Sequence, residues 1–330
     1  MPRPLVPATL VAVALLAVAC GVGGASTQPS ASVPAASSEA DCQTVPEPSS
    51  LGAWDPSSQH PTLFPTIISS RQACGRNRIL FSFLDAKNQP AATPDRTVSV
   101  AFYDLAKDPN QPVSSGKGQF IWAIEGQRGV YVTDATFDHA GLWGAEFTTE
   151  APNSPKQVIR VPFEVQPTTP TVRVGDHAPP TPTPTLASVN GDVGKISTDQ
   201  HPDADFYTTS VDQALAKHQP FVLAFATPKF CTSAQCGPTL DRLKPVAKAH
   251  PGLTFINVEP YKLKEVSGQL QPVLSSDGQL QATDVTRQWG LLTEPWIFVV
   301  DRDGVVRGSF ESVVGDAELE AALKQAETKG

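Results

Sequence analysis

The sequence is short of soft ligands outside its cysteines. Its one methionine is Met1, and the six histidines end at His250. Thioether ligation is therefore excluded from any site in the body of the chain. Basic residues are also outnumbered, with 25 Lys and Arg against 33 Asp and Glu, a formal charge of −8. The pI near 5.3 gives no support to nucleic-acid binding. Only one long apolar run occurs, Leu5 to Val18, so no other segment is long and apolar enough to span a bilayer. Cysteine is scarce as well, with five in 330 residues.

What the chain does have is proline. Its 32 prolines cluster in stretches that read as linkers, and the length suits two domains plus tails. Residues 1–19 place Arg3 before the apolar run and small residues after it, the pattern of a secretory signal. Leu16-Ala17-Val18-Ala19-Cys20 resembles a bacterial lipobox. That resemblance implies a lipoprotein signal peptide over 1–19, a diacylglyceryl group on Cys20 and a membrane-anchored, extracytoplasmic protein. Stable anchoring needs two or more acyl chains. Residues 20–58 read as a flexible tether, rich at first in Ser, Ala, Pro and Gly.

Residues 59–166 read as all-β. Ile79–Phe83, Thr97–Tyr103, Phe120–Ile124, Val130–Thr133, Trp143–Phe147 and Val158–Val165 are strand candidates, several with alternating apolar positions such as Val98, Val100 and Phe102. Turn formers such as Asp85-Ala-Lys-Asn-Gln-Pro90 separate them. Short strands at this spacing suggest an immunoglobulin-like sandwich. Trp122 and Trp143 read as core, and no catalytic constellation is present there. A Pro/Thr-rich linker follows over 167–204.

The third region, 205–330, carries the chemistry. Cys231-Thr-Ser-Ala-Gln-Cys236-Gly-Pro238 stands between the apolar run Phe221–Ala226 and a helix-like segment expected to start at Pro238. A cysteine at a helix start is favoured as thiolate, because unpaired N–H groups and the positive dipole end face it. In one unbroken helix, cysteines five apart would point to different faces; a turn over 231–235 would bring the sulfurs together.

Cys236-Gly-Pro-Thr is similar to the thioredoxin Cys-Gly-Pro-Cys without its last cysteine, and Cys231-x4-Cys236 to a widened Cys-x-x-Cys. Thr293-Glu294-Pro295-Trp296 and Asp301-Arg-Asp-Gly304 resemble the thioredoxin cis-proline loop and a following hairpin turn. The expected fold class is thus two domains: an N-terminal all-β immunoglobulin-like sandwich and a C-terminal α/β thioredoxin-like fold. The resemblance implies a thiol–disulfide oxidoreductase in which Cys231 and Cys236 exchange with protein thiols or disulfides, with a membrane reductant as a further partner. Glu294 and Pro295 would then hold an extended substrate segment. Which cysteine attacks stays open. Ala224 and Phe255 stand where the family has an Asp and its partner Lys, so resolution is expected to be slow.

If Cys20 is lipidated, Cys42, Cys74, Cys231 and Cys236 remain, an even number that allows three pairings. The local pairing is Cys42–Cys74 as a staple and Cys231–Cys236 as a second bridge. Nothing implies a cofactor or a resident metal. Three other readings compete: a scaffold lipoprotein with a structural bridge, a thiol peroxidase, and a copper chaperone. Pro228 breaks the peroxidatic Pro-x-x-x-Thr-x-x-Cys pattern. The chaperone lacks its distal histidine, since none follows His250.

Overall fold

The computed structural model describes residues 42–152 and 154–328. The signal segment 1–19, Cys20 and most of the tether lie outside the described residues. Nine strands come first: β1 (Leu63–Ile67), β2 (Gln72–Ala73), β3 (Gly75–Asp85), β4 (Thr97–Asp104), β5 (Pro112–Lys117), β6 (Gln119–Ile124), β7 (Arg128–Phe137), β8 (Gly141–Ala151) and β9 (Ser154–Gln166). They form two sheets, in the orders β1-β3-β7-β6 and β2-β9-β8-β4-β5. Alternation decides which side chains turn inward. Val98, Val100 and Phe102 of β4 are buried, and the intervening residues are more exposed. They meet Phe81, Phe83, Tyr131 and Phe147 in one core shared by both sheets. Its rings pack at offset or edge angles, with Phe81 and Phe147 centroids 5.0 Å apart. The buried Tyr131 hydroxyl donates to the Thr93 carbonyl at 2.8 Å. Cys42 is disulfide-bonded to Cys74, with Cα atoms 6.2 Å apart, and tethers the first described residue to this core.

The second half contains α1 (Val211–Ala216), β10 (Phe221–Phe225), α2 (Cys236–Ala249), β11 (Thr254–Val258), β12 (Leu263–Val266) and β13 (Gln269–Pro272). It continues with α3 (Asp284–Gln288), β14 (Trp296–Val300), β15 (Val306–Glu311) and α4 (Asp316–Thr328). The sheet order is β11-β10-β14-β15; β10 runs parallel to β11 and antiparallel to β14. Every residue of β10 is buried, which explains its unbroken apolar run. Val222 and Ala224 face Leu240, Leu243 and Leu323 from α2 and α4. Phe221, Leu223 and Phe225 face Trp289 and Phe298 on the other side. The β12–β13 hairpin stands apart as a two-stranded sheet.

The expected two-domain fold class, an immunoglobulin-like sandwich followed by an α/β thioredoxin-like fold, is corrected here. Among the described residues, fifteen strands in four sheets stand against four α-helices, and α1 and α3 have only six and five residues. The chain is mostly β-sheet, with no clear α/β thioredoxin-like C-terminal domain. All described residues also belong to one compact unit. The physical reason lies in contacts that local pattern does not reveal. Arg78 of β3 makes a two-pronged ion pair with Glu318 of α4 at 2.7 and 2.9 Å and donates to the Val313 carbonyl. Burial works against the Glu318 charge, but the Arg78 guanidinium outweighs it and holds the carboxyl below its ordinary range. Ser70 N–H donates to the Glu311 carboxylate at 2.9 Å, and Val313 joins Leu80, Ile121 and Val132 in one apolar cluster.

The Pro/Thr segment is packed as well. Thr181, Thr183 and Thr185 are buried, and Trp289 Nε1 donates to Thr181 Oγ1 at 3.2 Å. Thr171 Oγ1 donates to the Gly290 carbonyl. Gly290 has φ 65°, and the Pro170 carbonyl occupies the place a Cβ would take.

Candidate functional site

The site is built where β10 ends. Ala226 N–H donates to the Val258 carbonyl, and Phe230 N–H closes a turn onto Thr227. The chain then loops through Cys231–Gln235, with Ala234 in the left-handed region at φ 61°. That conformation costs about 1–2 kcal/mol for a residue with a Cβ. The α2 helix begins at Cys236, two residues before the expected Pro238. Pro238 fits inside the first turn because donors there lack intrahelical partners.

Cys231 and Cys236 are disulfide-bonded, with Cα atoms 6.0 Å apart. Their settings differ. Cys236 is fully buried, whereas Cys231 is half-buried. The Cys236 N–H, a first-turn donor of α2, points at Cys231 Sγ at 3.2 Å. Ser233 Oγ lies 3.4 Å from the same sulfur. An N–H at a helix start stabilises negative charge on the atom it faces. Cys231 is therefore the sulfur that is both reachable and electrostatically supported as thiolate.

Glu294 closes the loop from the other side. It precedes Pro295, and the peptide bond between them is cis. The Glu294 side chain, only 3% exposed, turns inward. Its Oε1 accepts from Thr232 N–H at 2.8 Å and Thr232 Oγ1 at 2.7 Å, and its Oε2 accepts from the Tyr261 hydroxyl. Its backbone carbonyl accepts from Ser233 Oγ at 3.0 Å, and the Pro295 carbonyl from Ser312 N–H. Burial, and then the hydrogen bond to Glu294, push the Tyr261 phenol well above its usual range. One carboxylate oxygen of Glu294 lies within 4.8 Å of both cysteine sulfurs. These three residues are the set that could hold a metal ion among the described residues.

A second carboxylate lies under the loop. Glu259 follows β11 and accepts from Thr198 N–H at 2.6 Å and Thr198 Oγ1 at 2.7 Å. Thr198 Oγ1 also accepts from Lys229 N–H, two residues before Cys231. Burial raises the Glu259 carboxyl to about 7, although hydrogen bonding to Thr227 and then Thr198 pulls the other way. Its Oε2 has no hydrogen-bond partner.

The structure thus brings Cys231, Cys236, Glu294 and Pro295 together, with Cys42 and Cys74 in a separate bridge. Ala224 pairs with Asn257 and Phe255 with Val222. Ala224, Val222 and Phe255 lie in the apolar core, whereas the buried Asn257 donates to the Tyr207 hydroxyl. Thr232, Ser233, Tyr261, Thr198 and Glu259 belong to the site, and the motif reading did not name their roles. The Thr-Ser pair inside the cysteine loop is the local signal of hydrogen-bonding capacity that could have pointed to them. Beside the first turn of α2 lies a cavity of about 170 Å³, lined by Gln235, Pro238, Arg242, Ala123, Glu125 and Val313.

No family model and no curated protein matches the chain. Among solved structures, a DUF4426 family protein from Pseudomonas aeruginosa PAO1 is similar to part of it, at 14% identity and a TM-score of 0.23. The match covers 32% of this chain and 90% of that one.

Proposed function

We propose that the chain is a thiol–disulfide oxidoreductase acting outside the cytoplasm, held at a membrane by a lipid on Cys20. The observation that carries the reading is the pairing of a half-buried Cys231 with a helix-start N–H 3.2 Å from its sulfur, beside a fully buried Cys236. In the reducing direction, the Cys231 thiolate attacks one sulfur of a partner disulfide. A mixed disulfide forms and the partner's other sulfur leaves as thiolate. The Cys236 thiolate then attacks Cys231 Sγ, forming the intramolecular bridge and releasing the partner's second thiolate. The reverse sequence oxidises a partner dithiol. Glu294 and Pro295, both buried beside the cysteine loop, are the residues a partner's chain would meet once that loop opens. A membrane reductant or oxidant would reset the pair.

Trapping separates the two sulfurs. Cys236→Ser is expected to accumulate a mixed disulfide with a cysteine-bearing peptide, and Cys231→Ser to form none. Equal trapping by both variants would refute the assignment of Cys231 as attacker. A second reading, a scaffold with an inert bridge, is favoured by the closed network of Thr232, Ser233 and Tyr261 around Glu294. Under that reading neither variant traps a partner.

A further inference from the structure

The carboxylate of Glu294 has more acceptor capacity than its neighbours use. An ionised carboxylate offers about four lone-pair sites. Thr232 fills two on Oε1 and Tyr261 one on Oε2, which leaves one on Oε2. Both cysteine sulfurs lie within 4.8 Å of the carboxylate oxygen that faces them. Cys236 and Glu294 are buried and Cys231 is half-buried, so the three donors converge where water has limited access.

We infer that the reduced protein binds one divalent zinc-type cation through Cys231 Sγ, Cys236 Sγ and one carboxylate oxygen of Glu294, with the fourth position open on the Cys231 side. A tetrahedral zinc ion with sulfur ligands at about 2.3 Å and oxygen at about 2.0–2.2 Å needs its donors about 3.5–3.8 Å apart. Moving from 4.8 Å to that spacing takes about an ångström, within reach of a glutamate rotamer adjustment. The Cα separation of 6.0 Å allows the sulfurs to part to this distance without the ends of the loop moving. Two thiolates and one carboxylate form a mixed soft and hard set, which suits zinc better than copper(I). The chain offers no thioether and no histidine after His250 to add a softer ligand.

The site exists only in one redox state. Two electrons from a phosphine such as TCEP, with one water giving its oxygen to the phosphine oxide and its two protons to the sulfurs, open the bridge to two thiols. Zinc binding then displaces both thiol protons, and the metal-bound thiolates cannot re-form the bridge until the ion leaves. Metal and disulfide are therefore mutually exclusive on the same two sulfurs.

The test uses soluble protein from residue 42 onward only if it folds as the full chain does by circular dichroism, and otherwise the full chain in detergent. TCEP-reduced protein is first shown by thiol counting to have two more free thiols than the oxidised form. It is then titrated with Zn²⁺ against a chromophoric chelator, and in parallel with Co²⁺ to read sulfur-to-metal charge transfer. The expected result is one equivalent bound after reduction, none by the oxidised form, and a thiolate charge-transfer band with Co²⁺. Glu294→Gln should weaken Zn²⁺ binding about tenfold to a hundredfold. Failure of the reduced wild type to bind overturns the inference, as does a bridge that TCEP cannot open. Zinc binding that ignores Glu294→Gln, or copper(I) binding with no zinc binding, overturns it too. Disulfide exchange is read in metal-free buffer, so its outcome is independent of these results.

Discussion

Two buried carboxylates border the cysteine loop, and their partners set them apart. Glu294 is met by three hydrogen-bond donors, two from Thr232 and one from Tyr261. Glu259 is held by Thr198 on one oxygen with Thr227 nearby, and burial raises it to about 7. Its neutral form is therefore favoured in the folded chain. The stability it contributes is fully present below about pH 4.5 and is lost as pH rises through 7. That span corresponds to about 3 kcal/mol. Denaturant unfolding at pH 5 and pH 8 should show the wild type losing about 2–3 kcal/mol more than Glu259→Gln across that interval. Parallel pH curves for the two proteins would contradict this role. At this scale the cysteines were legible by type and spacing, whereas Glu294 was named only through a resemblance to a cis-proline loop, as a substrate contact and not for its buried carboxylate. Glu259 was not legible: an acidic residue after a strand carries no local mark of the burial that perturbs it.

Among the elements, legibility followed burial. The six strand candidates of the first half fall within β3, β4, β6, β7, β8 and β9, where one face or both are buried. Strand β5 escaped notice because Pro112–Lys117 is almost wholly exposed and has no apolar alternation. It is an edge strand held by backbone bonds to β4. The start of α2 was misplaced by two residues, since Pro238 is as comfortable inside a first turn as at its opening. That shift matters chemically: it puts the Cys236 N–H among the unpaired donors and aims it at Cys231. The prolines of 167–204 read as a spacer, yet backbone bonds from Val172, Gly175 and Ala178 to Trp289, Val306 and Gly304 fasten that segment to the second half. Such pairings join residues more than a hundred positions apart, and no local pattern announces them.

At the scale of the whole molecule, the expected α/β thioredoxin-like fold did not hold, because the described residues are mostly β-sheet; the two halves also share an ion pair, a hydrogen bond from Ser70 to Glu311 and an apolar cluster. Among the described residues no helix is long and apolar enough to cross a membrane. The proposed attachment is a lipid on Cys20, which lies outside those residues. Cys20→Ala should leave the membrane fraction or stay unprocessed, and a variant that fractionates and migrates as wild type would remove the lipid anchor. The central claim is exchange at Cys231 and Cys236, and its most direct test is the reduction potential of that bridge. A helix-start N–H on a half-buried sulfur favours the reduced form and makes the bridge openable. Equilibration with glutathione buffers, read by thiol alkylation and mass, should place Cys231–Cys236 between about −120 and −270 mV, the span of working oxidoreductases. A potential below about −300 mV, where structural bridges of secreted proteins lie, would contradict exchange and leave the pair a staple.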